Sequence, residues 1–494
     1  MLQDRLNNST RIAFGAGTAP ESIKNALWHT FILFYFVQVL GMSGSLAGLA
    51  IAIALAWNAV IDPMIGSYSD NLRATALGKR QRLMAWSVVP YCLSIVLLFA
   101  PPSDLSEMGL FAWLVFWAVI ARTAISTYTI PYFALNVELS RNPIERPILT
   151  AARSIAGGFS NMLLPMVAFS VFFAATPAFP NGQLNRDAYL PFIITLAVVS
   201  FLVMIWVILG TNKRSMALDA HTGLSGHKHV RLSPRMVVRQ IGDALRTTKN
   251  VRYFVLLNVF IFVCLGVVSV YLLHLSTYYW RLPPASISYV AMAAAPGGII
   301  APLFARYYVP RFDKQRMLVT FIILYAVLIV VPILGPLSPL FPQPGDPSQV
   351  PTLVTMKFLG GFVYAAFLTV MGTVVADIAD ELELNAGAPR QALLSSFTFF
   401  TSFAASAVIN VSAGAFLDLI AFPVGVAPAL VPQALGAKLA MFSAGTLVVA
   451  MAGVVVFLLR FDISAEKQAG INEQLEARYA KARETDGGDL APAE

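Results

Sequence analysis

The chain has 494 residues, of which 57% are hydrophobic and only 12% charged, with a mean hydropathy of +0.70. A soluble protein carries about 25% charged residues, so that class is excluded. The formal charge of +8 is gathered in particular loops, which reads as membrane topology and not as a nucleic-acid partner.

Residues 1–19 are polar and lack the apolar core of a cleavable signal. Twelve apolar runs then follow, each long enough (~20 residues) to cross a bilayer as a helix. They lie near 20–40, 45–68, 83–101, 108–135, 151–176, 188–210, 251–277, 286–308, 315–335, 352–376, 391–420 and 434–460. They lack the apolar–polar alternation of β-barrel strands, so the expected class is an all-α polytopic membrane protein. The only cysteines, Cys92 and Cys264, fall within apolar runs, which argues against a disulfide framework or a Cys-ligated metal.

Span one carries Asn25, Trp28 and His29. Glu21 and Lys24 sit at its inner end, where snorkelling to the interface is the expected role. Span two carries Asn58 and Asp62, four residues apart and so on one helix face. A carboxylate inside a membrane helix is costly and marks a functional site by default. Pro63 removes a backbone donor beside it, which is expected to loosen the helix and free a carbonyl as a ligand. The next loop is basic, with Arg73, Lys79, Arg80 and Arg82.

Span four places Arg122 near mid-membrane, with Ser126 and Thr129 at i+4 and i+7 on the same face. An arginine there needs a partner, either Asp62 or an anionic group on a substrate. Arg153 opens span five, and snorkelling competes with function for it. Residues 213–250 form the longest internal break in hydrophobicity. Their second part spaces Met236, Val237, Ile241 and Leu245 as in an amphipathic helix on a membrane surface.

Span seven offers Tyr271 and His274, whose aromatic faces and polar edges suit a sugar; Tyr278, Tyr279 and Trp280 suit the interface belt. Lys357, near the end of span ten, reads as snorkelling. Span eleven has Ser395, Thr398, Ser402, Ser406 and Asn410 at spacings of three and four. That polar stripe either lines a cavity or joins helices.

Basic residues collect in the loops after spans two, four, six and eight, which predicts that both termini are cytoplasmic. The basic turns LRATALGKRQRLM and YYVPRFDKQRML occupy the same place in each half. Parallel six-helix repeats of this kind characterise major facilitator proteins. The expected organisation is a six-helix bundle over 1–212, a cytoplasmic linker over 213–250, a second six-helix bundle over 251–460 and a cytoplasmic tail over 461–494, helical near 463–484. No Walker A loop, HExxH or GxSxG motif is present, so the expectation is not an enzyme but transport that is driven by an ion gradient or runs passively.

Several segments carry a resemblance. In order they are RIAFGAG, VLGMSGSLAG, WNAVIDPMIGSYSDN, TIPYFALNVELS, ERPILTAARSIAG, KNVRYFVLL and ADIADELELNAGAPRQALLSS. Over about residues 11 to 460 the chain resembles the glycoside–pentoside–hexuronide:cation symporters, the melibiose-permease-like branch of the major facilitator superfamily. The second and last segments are the most specific. The resemblance implies that Asp62 is a cation-site acid and Arg153 a sugar contact. It also marks departures. Asn58 replaces the first hallmark acid, Thr129 the sugar-binding acid of span four, and Ser22 lies where span one should carry an acid. No lysine occurs around Phe403 in span eleven.

Fewer acids and an added Arg122 make the pathway more positive, which favours an anionic solute such as a hexuronide. One remaining acid favours a proton as the coupling ion, with sodium the alternative. The full expectation is proton-coupled symport by alternating access in the plasma membrane, the inner membrane if bacterial. Asp62 and Asn58 would serve the cation. Arg153, Arg122, Thr129, Ser126, Asn25, Trp28, Tyr271, His274, Thr398 and Ser402 would serve the substrate. Asp70, Arg73, Arg80, Asp377 and Asp380 would form a cytoplasmic latch between the halves. A small solute and the bilayer are the expected partners, with no cofactor and a single chain sufficing. The alternative within the same fold is a lysophospholipid or other amphipathic solute.

Overall fold

A computed structural model describes residues 6–72, 77–139, 145–222, 248–309, 311–386, 391–462 and 465–485, with 242, 243 and 246 alone between the sixth and seventh spans. Arg73 and nearly all of the expected linker helix lie outside the described residues. Among those described, the regular structure is helical throughout.

Eleven helices are long and apolar enough to cross a bilayer: Gly44–Asp70, Lys79–Leu98, Glu107–Asn136, Glu145–Phe172, Arg186–Arg214, Lys249–Tyr279, Pro284–Leu303, Lys314–Leu337, Gln349–Asn385, Leu394–Leu419 and Gln433–Arg460. The twelfth is span one, a helical run over 19–39 interrupted by wide π turns at Leu27–Phe31 and Tyr35–Val39. Such turns insert an extra residue and turn the side chains that follow around the axis. Large apolar side chains such as Val89, Leu202, Leu303 and Val449 remain exposed on the flanks of the bundle, as a lipid-facing surface requires. Polar caps fix several ends. Ser106 accepts from Gly109 N–H ahead of span four, and Asp313 from Arg316 N–H ahead of span nine.

Spans two, three, four and six pack on one another, as do spans seven, nine, ten and twelve, with eight on ten and eleven on seven. The two groups meet where span two lies along eleven, five along eight, and one against seven. The span-two seam is closest at Gly44 and Gly414, whose backbones touch where any Cβ would collide. Gly48 makes the same approach to Asn410. Small residues permit this contact between helices.

Span two runs unbroken through Pro63, so the helix is not unwound beside Asp62 as the proline suggested; Asp62 stays in regular helix. The tail helix runs Ala465–Thr485 and docks on span ten, burying Ile471 and Leu475.

Candidate functional site: a charged cluster between spans one, two and four

Asn58 is buried on the face of span two that meets span four. Its Nδ2 donates to Asp62 Oδ1 and Oδ2 at 3.5 and 3.4 Å and to Ser126 Oγ at 3.4 Å. The Ser126 hydroxyl also reaches Asp62. These are long, soft contacts around one carboxylate, the kind of oxygen-rich corner that receives a small cation or a proton. Ser126 therefore stands with Asn58 and Asp62, although its spacing alone had grouped it with substrate contacts.

Arg122 lies one turn away on span four and is 3% exposed. It makes no ion pair among the described residues; Asp62 is within electrostatic reach but not in contact. Its guanidinium instead lies over the Trp28 ring, 4.9 Å from the centroid. Its Nε is buried without a hydrogen-bond partner. A cation–π contact replaces only part of the hydration that a buried guanidinium gives up.

Lys24 joins this cluster, within electrostatic reach of Glu21, Arg122 and Asp62. Snorkelling does not describe it. Its charge points into the protein, and the only sequence signal was its position one helical turn before Trp28. Glu21 is half-buried and within electrostatic reach of Lys24, Tyr91, Tyr128 and Tyr132. Arg153 stacks on the Phe133 ring at 4.3 Å, with Tyr132 at 5.8 Å, and its Nε is likewise buried and unpartnered.

The remaining expected residues separate. Thr129 is buried on span four beside this cluster. Asn25 lines a cavity of about 220 Å³ between spans one, five, seven and eight, together with His29 and Asn161. Tyr271 and His274 are sealed in packing: Tyr271 meets Phe442 edge-on, and His274 meets Phe34 at 5.0 Å and Phe422 at 6.5 Å. On span eleven, Ser406 and Asn410 are buried in and near the glycine seam, whereas Thr398 and Ser402 are only half-buried. The Ser406–Asn410 end of the stripe therefore lies where helices join.

The residues expected to latch the halves pair within them. Arg80 bonds Asp70 at 3.0 Å and Glu138 at 2.7 Å. Asp377 takes Lys314 at 2.7 Å, and Asp380 accepts from Gln468 of the tail helix at 3.1 Å. Bonds seen to cross between halves among the described residues lie at the opposite end of the bundle. Asp418 accepts Gly44 and Ser45 N–H, both at 2.7 Å, Tyr278 Oη donates to Gln38 at 2.9 Å, and Gln183 Nε2 to Thr277 at 3.1 Å. Sequence reasoning singled out none of Asp418, Gln38 or Gln183. An acid closing span eleven was the available signal.

Comparison with known proteins follows this geometry. Residues 13–465 match the MFS/sugar transport protein family. The chain belongs to that family. An uncharacterized symporter of Synechocystis is 28% identical over 208 residues, 41% of this chain and 37% of that one. A sodium-dependent lysophosphatidylcholine symporter of Danio rerio is 23% identical over 97% of this chain and 90% of its own. An isoprimeverose transporter of Lactiplantibacillus pentosus is 22% identical over 43% of each chain. The matches to the Synechocystis, Gallus gallus and Bacillus subtilis relatives span only about a third of those proteins. Among solved structures, the inward-open xylose transporter of E. coli superposes with a TM-score of 0.57 at 14% identity, covering 95% of this chain and 97% of that one. Nucleoside transporter NupG superposes with a TM-score of 0.60 at 11% identity, covering 90% and 99%. At these identities the likeness is one of fold, and the fold is that of twelve-helix major facilitator transporters. The family and these relatives are transporters, not enzymes.

Proposed function

We propose that this membrane transporter is a proton-coupled symporter of a sugar-like solute bearing an anionic group, of the glycoside–pentoside–hexuronide type. The observation that carries the reading is the pairing of one soft carboxylate corner, Asp62 with Asn58 and Ser126, with a buried guanidinium that lacks an ion pair, Arg122. A carboxylate with two neutral neighbours can be discharged by one proton. A guanidinium held on an aromatic ring can exchange that contact for a carboxylate, which it binds in two-pronged fashion. Lys24 adds to the same positive field.

Alternating access then works by rocking the halves about this cluster. The closed seam at Gly44–Gly414 is the outer side, and the ionic groups around Arg80 and Asp377 face the cytoplasm with both termini. In the inward-open state each of these groups pairs within its own half; on closure they exchange partners across the gap as the latch. The setting is a plasma membrane, and one chain suffices.

Uptake into proteoliposomes tests the coupling. Asp62→Asn is expected to abolish accumulation driven by a pH gradient while leaving exchange down a gradient. Concentrative, pH-driven uptake by that variant would rule Asp62 out as the coupling group. A second reading, an amphipathic solute, draws on the mostly apolar lining of the 220 Å³ cavity and on the lysophosphatidylcholine relatives. Competition of uptake by lysophosphatidylcholine but not by glucuronate would favour it.

A further inference from the structure

The cavity between spans one, five, seven and eight has two unlike walls. Among apolar neighbours such as Phe31 and Leu164, span one contributes Asn25, His29 and Thr30, and span five contributes Asn161. None of these four side chains hydrogen-bonds to another group among the described residues. Leu272 and Ile287 belong to the opposite wall, which is wholly apolar and comes from spans seven and eight. In a membrane interior, four open polar groups gathered at one void are costly unless something polar fills it.

Span one explains how this wall relates to the charged cluster. Lys24 and Trp28 stand four residues apart and face Arg122. Asn25 and His29 are the next residues round and face the cavity. Two adjacent strips of one helix therefore line two adjoining compartments, one charged and one neutral. At about 220 Å³, the neutral compartment is smaller than the ~300–1,000 Å³ of complete ligand pockets, so it is sized for part of a solute.

We infer that this cavity is a second subsite, which takes an uncharged, hydroxyl-bearing ring whose polar edge faces Asn25, His29 and Asn161 and whose apolar face lies on Leu272 and Ile287. The inference rests on the anionic-solute reading above and extends it. The preferred solute has two parts, an anionic residue at Arg122 and a neutral sugar ring in the cavity. Because the four polar groups belong to one half and Leu272 and Ile287 to the other, a seated ring touches both halves, and its fit contributes to their closure.

Glucuronate and the disaccharide glucuronosyl-xylose are the probes. The wild-type protein in proteoliposomes should take up the disaccharide with a KM about tenfold or more below that for glucuronate, as expected where a site is built to bond hydroxyls. Asn161→Leu and His29→Phe, on different spans, should each erase that preference while leaving the KM for glucuronate within about twofold of wild type. Equal KM values in the wild type, uptake of neither probe, or parallel loss of both in correctly inserted variants would overturn the subsite. The coupling reading fails separately: if uptake persists unchanged when the ion gradients are collapsed but the disaccharide preference stands, the symport proposal falls and the subsite remains.

Discussion

Asp418, which ends span eleven, caps the first turn of span two, its two carboxylate oxygens taking the N–H groups of Gly44 and Ser45 at 2.7 Å each. These donors are among the four that every helix leaves unpaired at its start, and a carboxylate is favoured there by the helix dipole. The cap comes from the other half of the molecule, so opening this end costs span two its partner. Glu107 takes the preceding N–H, that of Ser43, from within the same half at 2.8 Å.

Asp418→Ala should therefore tilt the balance toward opening at this end. Hydrogen bonds to a charged group contribute about 1.5–3 kcal/mol, so the population ratio should move by about tenfold or more. Spin labels at the exposed positions Met108 and Leu430 would report it as a growing long-distance component. An unchanged distance distribution would reject Asp418 as a latch.

Gly414→Val attacks the same seam by bulk. Its Cβ would run into the Gly44 backbone, which cannot move aside as a flexible side chain could. The expected result is a protein open at this end, with uptake falling at least about tenfold, and little further effect from adding Asp418→Ala, since coupled sites are not additive. Full additivity of the two effects would show that the seam and the cap act independently.

Asn58→Asp restores a second carboxylate beside Asp62 and Ser126. Two acids and a hydroxyl offer the several oxygens that sodium prefers. Uptake by this variant should become sodium-stimulated and less dependent on pH. A coupling ion that does not change would mean that position 58 does not select it.

Arg122→Met removes a buried charge that has an aromatic ring but no carboxylate. Such a replacement is often neutral or stabilising, here by about 1 kcal/mol, or a rise in Tm of about 1 °C for a chain of this length. Uptake of an anionic probe should fall at the same time through a raised KM. A variant that loses stability and uptake together would assign Arg122 a structural role.

Lys467, on the tail helix, bonds Glu381 at 3.1 Å and Asp462 at 3.0 Å. Partial burial disfavours its charge, but the hydrogen bonds and charges of Asp462 and Glu381 outweigh that and hold its pKa above the usual 10.5. A raised cation pKa contributes stability that is fully present below 10.5 and is lost as pH climbs through the folded value. Protection factors of the amides across 465–485, with the base-catalysed intrinsic rate divided out, should fall only in that alkaline range, and Lys467→Gln should remove that fall. Protection that is first lost near neutral pH would contradict this.

Much of the fold was legible because a bilayer imposes a simple rule: twenty apolar residues cross it, and a charge among them is conspicuous. Asp62 and Arg122 stood out for that reason, and their helix faces followed from spacing. Lys24 was misread because snorkelling and inward pointing differ only in where the neighbouring helix lies. A stripe on one helix does not say which partner helix it meets, so only the structure sets Ser126 beside Asn58 of span two. Arg80 and Asp377 are expected from charge alone to latch the halves together, but in the state described they pair within their own halves.

The sequence by itself determined the solvent, the number of crossings and the rarity of acids along the path, since these depend on composition and one-helix periodicity. Only the tertiary structure decided that Asp418 caps Gly44, that Asn58 lies against Ser126, that Arg122 rests on Trp28 and that Asn25 and His29 open into a separate cavity. Those facts depend on how helices distant in sequence are rotated and how closely their backbones approach, and no periodicity within one helix records either.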